Sequence, residues 1–518
     1  MPDTRPNILF VFADDWGRYA SAYSRIDGER LGGAGSLNDV VDTPHFDRIC
    51  REGALFANAY VPAPSCTPCR SSLLSGRYFW NTERGAILQG ARWDSAIPTF
   101  PLLLEESGYH IGYTYKVWSP GTPVDQPYGG SRTRYAPAGA RFGQFSQTAT
   151  SYVAERGVEG AKEVLYDEVR ANFEAFLDER PEGSPFCYWW GPTNTHRKWE
   201  RGSGKALWDL EPDDLKGKLP DYLPDVPEIR EDVADYLGEC QAVDAGLGLL
   251  LQRIEAMGEL DNTLVVVSGD HGIPGFPRGK CNLYDLGCEV ALAARWPGHI
   301  EPGRVVDDFV NLMDLAPTYL EVGGVEAPDC MEGRSLVPVL ESPASGQVET
   351  DRTFVVHGRE RHVGRARDGN LPYPQRAIRT GDFLYIRNFE PDRWPMGDPR
   401  GLDDPAAAAP PWDEVANDTF VCYADMDAGP TKAWMVHHRA DESVKGLFDL
   451  SFGKFPAEEL YDVRQDPYHM SNVVGMQEYA EVRQRLAAQL GAVMKQHGDP
   501  RAVEADCRFE RSPFTDVD

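Results

Sequence analysis

Positive charge is what this 518-residue chain is shortest of: 52 lysines and arginines face 81 aspartates and glutamates, a formal net charge of -29. That deficit excludes an ordinary nucleic-acid binder, whose affinity comes from neutralising phosphates with basic side chains. It also excludes long-range steering of an anionic substrate, which a metal and a few local cations would have to hold against the field of the whole molecule. Cysteine is sparse, ten in all, too few for a disulfide-built scaffold. No apolar run approaches the ~20 residues of a membrane-spanning helix. The opening Met1-Pro2-Asp3-Thr4-Arg5-Pro6 runs straight into an apolar stretch and lacks the layout of a signal peptide. The expectation is a cytoplasmic protein, or a periplasmic or secreted one if the chain was trimmed. Internal repeats, coiled-coil heptads and long low-complexity tracts are absent too. What is present, 42% hydrophobic and 26% charged residues, is a globular composition. The length suffices for a large core with a second, smaller unit.

Residues 7–13 (N-I-L-F-V-F-A) form a continuous apolar run and predict a central strand covered on both faces. Further strands are predicted over 110–115, 185–190 and 264–267. Helices are predicted from Pro44, with Thr43 as N-cap, and over 100–108, 155–180 and 231–257. This alternation over the first 340 or so residues predicts an α/β fold with a large, mainly parallel central sheet flanked by helices. Ligands of such sheets gather beyond the carboxyl ends of the strands. Asp14, Asp15, Lys116, His196, Asp270 and His271 all fall at predicted strand ends. Later, strands over 351–357, 376–389 (turning at Thr380-Gly381-Asp382) and 459–463, with a helix over 476–497, predict a smaller α+β unit with an antiparallel sheet. We place the division between 1–345 and 346–518. The stretch 392–412, rich in Pro, Asp and Ala, reads as an irregular surface insertion.

Residues 65–77 read S-C-T-P-C-R-S-S-L-L-S-G-R. Pro68 and the run Ser71–Leu74 predict a short helix with Cys66 and Arg70 at its N-terminus, where free N–H groups and the macrodipole favour an anion. A nucleophile and a cation beside an anion site suggest an enzyme for phosphate or sulfate esters. Cys66-Thr67-Pro68-Cys69 is also a C-x-x-C at a helix start, the pattern of a redox pair. A thiol phosphatase is excluded by spacing, because Ser72 and Ser75 hold the places six beyond the two cysteines. Asp14-Asp15 and Asp270-His271 close two predicted central strands. Taken singly, each reads as loop or capping carboxylates. Together they would repel unless a cation lay between them, and an oxygen-rich set suits Ca²⁺ or Mg²⁺.

C-T-P-C-R-S-S-L-L-S-G at 66–76 resembles the signature of the type I, formylglycine-dependent sulfatase family. T-P-H-F-D at 43–47, D-N-T-L-V-V-V-S-G-D-H-G at 261–272 and E-L-Y-D at 459–462 are similar to other landmarks of that family. H-G-I-P-G-F-P-R-G-K-C-N-L-Y at 271–284 and L-M-D-L-A-P-T-Y-L at 312–320 most resemble its N-sulfoglucosamine sulfohydrolase (heparan N-sulfatase) branch. The resemblance implies an alkaline-phosphatase-like fold and hydrolysis of sulfate esters or sulfamates on a sulfated mono-, oligo- or polysaccharide such as a glycosaminoglycan. It implies that a formylglycine-generating enzyme converts Cys66 to formylglycine. It also implies a divalent ion, Ca²⁺ ahead of Mg²⁺, on Asp14, Asp15, Cys66, Asp270 and His271, the last standing where many members carry Asn. Arg70 then matches the residue that holds the formylglycine loop, Lys116 and Lys280 the cations that grip sulfate, and His196 the acid for the leaving oxygen or nitrogen. Trp118 departs from the pattern, which puts His two positions beyond the first Lys. Cys69 replaces the common Ser or Ala.

In V-H-G-R-E-R-H-V (356–363), His357, Arg359, Arg361 and His362 offer basic groups that could reach over the pocket from the second unit; Arg361 and His362 are the candidates for binding substrate. A solvated strand end is the alternative. Trp434, His437 and His438, in the distinctive stretch 425–439, suggest either a saccharide subsite or packing. Cys187, Cys240, Cys288, Cys330, Cys422 and Cys507 read as structural thiols. Two alternatives to a sulfatase stand: a phosphonate monoester or phosphodiester hydrolase of the same superfamily, and a non-catalytic or redox protein using Cys66 and Cys69.

Overall fold

The computed structural model describes residues 5–123, 128–404 and 406–516. Its first seven strands are β1 (Asn7–Ala13), β2 (Ala54–Tyr60), β3 (His110–Tyr115), β4 (Phe186–Gly191), β5 (Thr263–Gly269), β6 (Leu292–Arg295) and β7 (Arg304–Asn311). They form one sheet in the order β3-β4-β1-β5-β6-β2-β7. β6 runs antiparallel to both its neighbours, and every other pairing is parallel. The period-2 geometry of a strand explains why β1 is apolar throughout. Leu9, Val11 and Ala13 face a core shared with the helices Phe145–Asp178 and Pro227–Ala256. Ile8, Phe10 and Phe12 face the opposite core, shared with Cys66–Ser75, Phe100–Glu106 and Leu315–Val322.

The remaining strands, β8 (Phe354–Arg359), β9 (Gln375–Thr380), β10 (Phe383–Asn388) and β11 (Glu458–Asp462), make an antiparallel sheet in the order β11-β10-β9-β8. The helix Ala480–Gln496 covers it through Leu486, Leu490 and Met494, which pack with Ile378, Tyr385 and Leu460. The architecture is the one the sequence predicts, a large mainly parallel sheet and a smaller antiparallel one, although β2, β6 and β7 are not among the predicted strands. No helix among the described residues is long and apolar enough to cross a membrane.

Three expectations change. The helix predicted from 155 begins at Phe145 and is interrupted at Gly157, whose φ of 69° lies in the left-handed region that glycine tolerates. Thr43 precedes the helix Pro44–Glu52 without capping it, because its hydroxyl accepts from the Ser21 amide (2.9 Å) instead. The free N–H groups of His45 and Phe46 are taken by the carboxylate of Asp244 (3.1 and 2.7 Å), reaching across from the helix Pro227–Ala256. Finally, the stretch 392–412 is irregular and largely exposed from Arg400 onward, as expected, but Met396 and Leu402 within it turn inward, and the chain that follows to β11 does not stay at the surface. Together they cross back to the large sheet, burying Met396, Leu402, Tyr423, Met426, Met435 and Phe452 in the first core.

Asp244 therefore does for a neighbouring helix what an N-cap residue does for its own. Asp244→Ala should cost about 1–2 kcal/mol of stability, read as a lower midpoint in urea or guanidinium unfolding with the slope unchanged. An unchanged midpoint would show that water replaces the cap at no cost.

Candidate active site

The carboxyl ends of the central strands deliver the charged groups. β1 runs into Asp14 and Asp15, β5 into Asp270 and His271, β3 into Lys116, and β4 into the loop that carries His196. The turn after β1 is forced: Asp15 has φ 60°, uncommon for a residue with a side chain. Several bonds hold it there. The Asp14 amide donates to Pro192 O (3.1 Å) and Asn194 O (3.0 Å). Asp15 O accepts from Thr195 Oγ1 (2.8 Å) and from the Tyr236 hydroxyl (3.0 Å).

Cations interleave with these acids. Arg70, fully buried, donates from Nε to Asp270 Oδ2 (2.8 Å) and from Nη2 to Asp14 Oδ1 (3.1 Å). Its Nη1 reaches the carbonyls of Lys116 (3.3 Å) and Val117 (3.2 Å). Lys116 Nζ lies 2.7 Å from both oxygens of Asp14. Lys280 Nζ lies 3.0 Å from Asp15 Oδ2. Burial alone would lift the Asp14 carboxyl, yet Lys116 and then Arg70 hold it well below the usual range. Asp270 is pushed the other way, because burial outweighs Arg70. For both lysines burial works against the charge and the facing carboxylates win: Asp14 keeps Lys116 protonated, and Asp15 with Asp427 does so for Lys280.

Cys66 opens the helix Cys66–Ser75 rather than preceding it, and Gly76, at φ 63°, ends that helix. The Cys66 Sγ lies 3.3 Å from His271 Nε2 and 3.9 Å from Asp15 Oδ1. Burial, then Asp14, push this thiol far above its ordinary value; burial and Asp270 do the same to Cys69. Reactive redox cysteines need the opposite shift and partial exposure. The pair is built for neither, which removes the thioredoxin-like alternative. The donor set does fit a hard divalent ion. Atoms of Asp14, Cys66 and Asp270 lie within 4.8 Å of one another, as do atoms of Asp15, Cys66 and His271. Carboxylate oxygens prevail, as Ca²⁺ or Mg²⁺ requires.

His196 joins this group at its rim. Nε2 is 3.9 Å from Asp15 Oδ2, and Nδ1 is 2.6 Å from the carbonyl of Arg197, which can only accept, so Nδ1 carries the proton. Trp118 supplies no base where the family pattern has His. Its indole donates to Ser71 Oγ (2.8 Å) and packs edge-on against Trp93, a packing role.

The basic segment around β8 divides. His362 reaches the site, its Nδ1 2.8 Å from the hydroxyl of Ser65, and burial takes it down to about 3, a neutral imidazole. Arg361 does not. It is 2% exposed, and its Nη2 donates to the carbonyls of Gln89 (2.6 Å) and Asp516 (2.5 Å). His357 stacks on Tyr60, and Arg359 is fastened to Pro395 O (2.7 Å) and Asp425 (2.9 Å). Trp434 and His438 stack on each other and His437 lies against Trp412. Asp427 was missed. Its Oδ2 stands 3.4 Å from Lys280 Nζ, and the only signal for it in sequence is the acidic D-M-D before Gly429-Pro430.

A protein-family model described as Sulfatase matches residues 6–325, and one described as N-sulphoglucosamine sulphohydrolase, C-terminal, matches residues 271–404. The chain is 26% identical over 526 residues to the N-sulphoglucosamine sulphohydrolase of Homo sapiens, covering 96% of this chain and 92% of that protein. It is 29% identical over 411 residues to an ulvan-active sulfatase of Formosa agariphila, covering 75% and 74%. A solved structure of a protein in complex with its substrate, D-glucosamine-2-N,6-O-disulfate, matches with a TM-score of 0.62 at 20% identity, covering 97% of this chain and 100% of that one. The phosphonate monoester hydrolase of Agrobacterium radiobacter matches at 0.59 and 19% identity, covering 95% and 96%. The fold is the alkaline-phosphatase-like one expected.

If the acids around Cys66 hold a divalent ion, saturating Ca²⁺ should raise the melting temperature and a chelator lower it. At 100 times the dissociation constant the gain is about 2.7 kcal/mol. Asp270→Asn should abolish the shift. Absence of any shift with Ca²⁺ or Mg²⁺ would count against the metal site.

Proposed function

The chain belongs to the sulfatase family, and we propose that it hydrolyses sulfate esters or sulfamates of a sulfated saccharide with a nucleophile derived from Cys66. One observation carries this reading: the Cys66 side chain lies against His271 and Asp15, among acids and cations that converge from strand ends far apart in the chain. A phosphonate monoester or phosphodiester hydrolase is the second reading, since a neighbour of that activity shares the fold and the site suits any tetrahedral anion. The match of residues 271–404 to the C-terminal part of N-sulphoglucosamine sulphohydrolases favours the first.

Formylglycine at position 66, which a formylglycine-generating enzyme would install from Cys66, would supply a hydroxyl of its hydrate as the nucleophile. A divalent ion on Asp14, Asp15, Asp270 and His271 supplies Lewis acidity, Ca²⁺ ahead of Mg²⁺ for so oxygen-rich a set. The chain's own residues do the rest. Lys116 and Lys280 present ammonium groups whose present partners, Asp14 and Asp15, are themselves candidate metal ligands, so each can exchange a carboxylate for a sulfate oxygen. Arg70 fixes Asp14 and Asp270 in place. His196, its Nδ1–H given to a backbone carbonyl, offers Nε2 as the site of the proton passed to the departing oxygen or nitrogen. Burial of the cluster keeps bulk water from the reacting sulfur.

Sulfate release from a panel of sulfated oligosaccharides, with wild type and Cys66→Ala compared, tests the reading. Release should vanish in the variant, and equal release by both proteins would dismiss Cys66 as the source of the nucleophile. Intact mass gives an independent check: formylglycine lowers it by ~18 Da and a disulfide by only ~2 Da. His196→Ala should cost ~10²–10⁴-fold in turnover, and a faster rate on a phosphodiester than on a sulfate ester would favour the second reading.

A further inference from the structure

The helix Pro227–Ala256 turns a buried polar face to the loops of the active site. Asp232, Asp235, Tyr236 and Glu239 follow the i, i+3, i+4, i+7 spacing that lines side chains along one side of a helix. The Tyr236 hydroxyl donates to Asp15 O (3.0 Å) and accepts from the Gly17 amide (3.0 Å). Asp235 accepts from the amides of Gly202 (2.9 Å) and Gly204 (2.8 Å). Glu239 accepts from the Ser146 amide (3.1 Å) and from the side chain of Asn194. These contacts satisfy buried donors of the loops they face. Asp232 differs, because its main partner is the charged side chain of Arg197, the residue after His196.

That pair is bidentate and buried. Arg197 Nη1 and Nη2 donate to the two oxygens of Asp232 at 2.9 and 2.7 Å. Arg197 Nε donates to Pro274 O (3.0 Å), on the segment that leads to Lys280, and the guanidinium lies 3.9 Å from the centre of the Trp199 ring. Asp232 also accepts from the amide (3.2 Å) and hydroxyl (2.6 Å) of Thr431, just beyond Asp427. Two glycines let backbone close in on the pair: a Cβ on Gly275 would come within 2.4 Å of Arg197 Nε, and one on Gly429 within 2.6 Å of its Cζ. The consequence for His196 is direct. Its Nδ1 is held by the carbonyl of Arg197 (2.6 Å), which leaves Nε2 on the side of Asp15 (3.9 Å). Packing contributes less, since the His196 side chain is 36% exposed. The main chain of Arg197 thus orients the imidazole, and its side chain fastens that main chain to the helix. Locked supports of this kind are what set a reacting group to within a fraction of an ångström.

We propose that Asp232 is a positioning residue for the leaving-group acid: through Arg197 it holds His196 with Nε2 on the departing atom. The proposal rests on the sulfatase reading above. As the bond from sulfur to the leaving oxygen or nitrogen breaks, its electron pair stays on that atom and the proton on Nε2 moves to it. Nδ1–H stays on the Arg197 carbonyl throughout. A leaving group whose anion is already stable needs no such proton, whereas one whose anion is a strong base does. Letting the ring drift therefore costs little in binding and much in the release of poor leaving groups.

Two measurements on the full-length protein test this. Nitrogen-15 spectra of the histidines, recorded above the titration of His196 and assigned by the signal missing from His196→Ala, should show His196 as the Nδ1–H tautomer in the wild type. In Asp232→Asn the same signals should report a mixture of tautomers. No substrate is needed for either. Rates on phenyl sulfate and 4-nitrophenyl sulfate give the second measurement. Asp232→Asn should lower kcat on phenyl sulfate at least about tenfold more than on 4-nitrophenyl sulfate, with KM little changed, part of the ~10²–10⁴-fold that a general acid supplies. Asp232→Glu should recover some of that difference. Asp235→Asn, which frees the same loop without touching Arg197, should slow both esters alike. A wild-type His196 that is not the Nδ1–H tautomer overturns the proposal even if the variants fail to fold. An unchanged tautomer in Asp232→Asn, equal losses on the two esters, or the same difference in Asp235→Asn overturns it too. Each of these results leaves the sulfatase reading to be judged by the comparison with Cys66→Ala.

Discussion

A single guanidinium joins the working ends of three strands. Arg70, with none of its surface exposed, bonds the acid beyond β1, the acid beyond β5 and the two carbonyls that follow β3. Each of those strands ends in a group that would be costly to bury alone. Breaking a buried ion pair by removing one partner typically costs ~3–5 kcal/mol, because the other charge is left uncompensated. The site is therefore not a pocket into which charges have been set. It is the packing solution for those charges, and the position of Cys66, four residues before Arg70 on the same helix, follows from it.

The local balance also resolves the problem posed by composition. A chain with a net charge of -29 repels anions at a distance. At the site, however, Arg70, Lys116 and Lys280 stand among Asp14, Asp15, Asp270 and Asp427 and offset three of those four charges. A divalent ion among them would turn that small deficit into a surplus of positive charge. Burial keeps the surplus from being screened. Attraction is thus short in range and confined to a ligand already docked, which favours shape and donor geometry over capture from solution.

Much of this was legible in sequence because apolar runs announce strands, and polar residues that close them announce a site. Asp14, Asp270 and Lys116 were identified that way, and the strand ends do converge. The unreadable parts depend on partners remote in the chain. Asp244 caps a helix some 200 positions earlier, and no local pattern encodes that contact. Arg361 lies one position before His362, yet backbone direction at the end of β8 sends one side chain toward the C-terminal segment and the other toward Ser65. The Pro-rich stretch after β10 has the composition of a surface loop. Only the scattered Met396, Leu402 and Tyr423, without helical or strand period, reveal that it packs inward, and that inward path is what carries Asp427.

All ten residues of the helix Cys66–Ser75 are buried. A second protein cannot lay hold of the Cys66 side chain without unmaking the core around it. An enzyme that edits this residue would have to reach it before the helix is packed. Folding would then set the deadline for such a change.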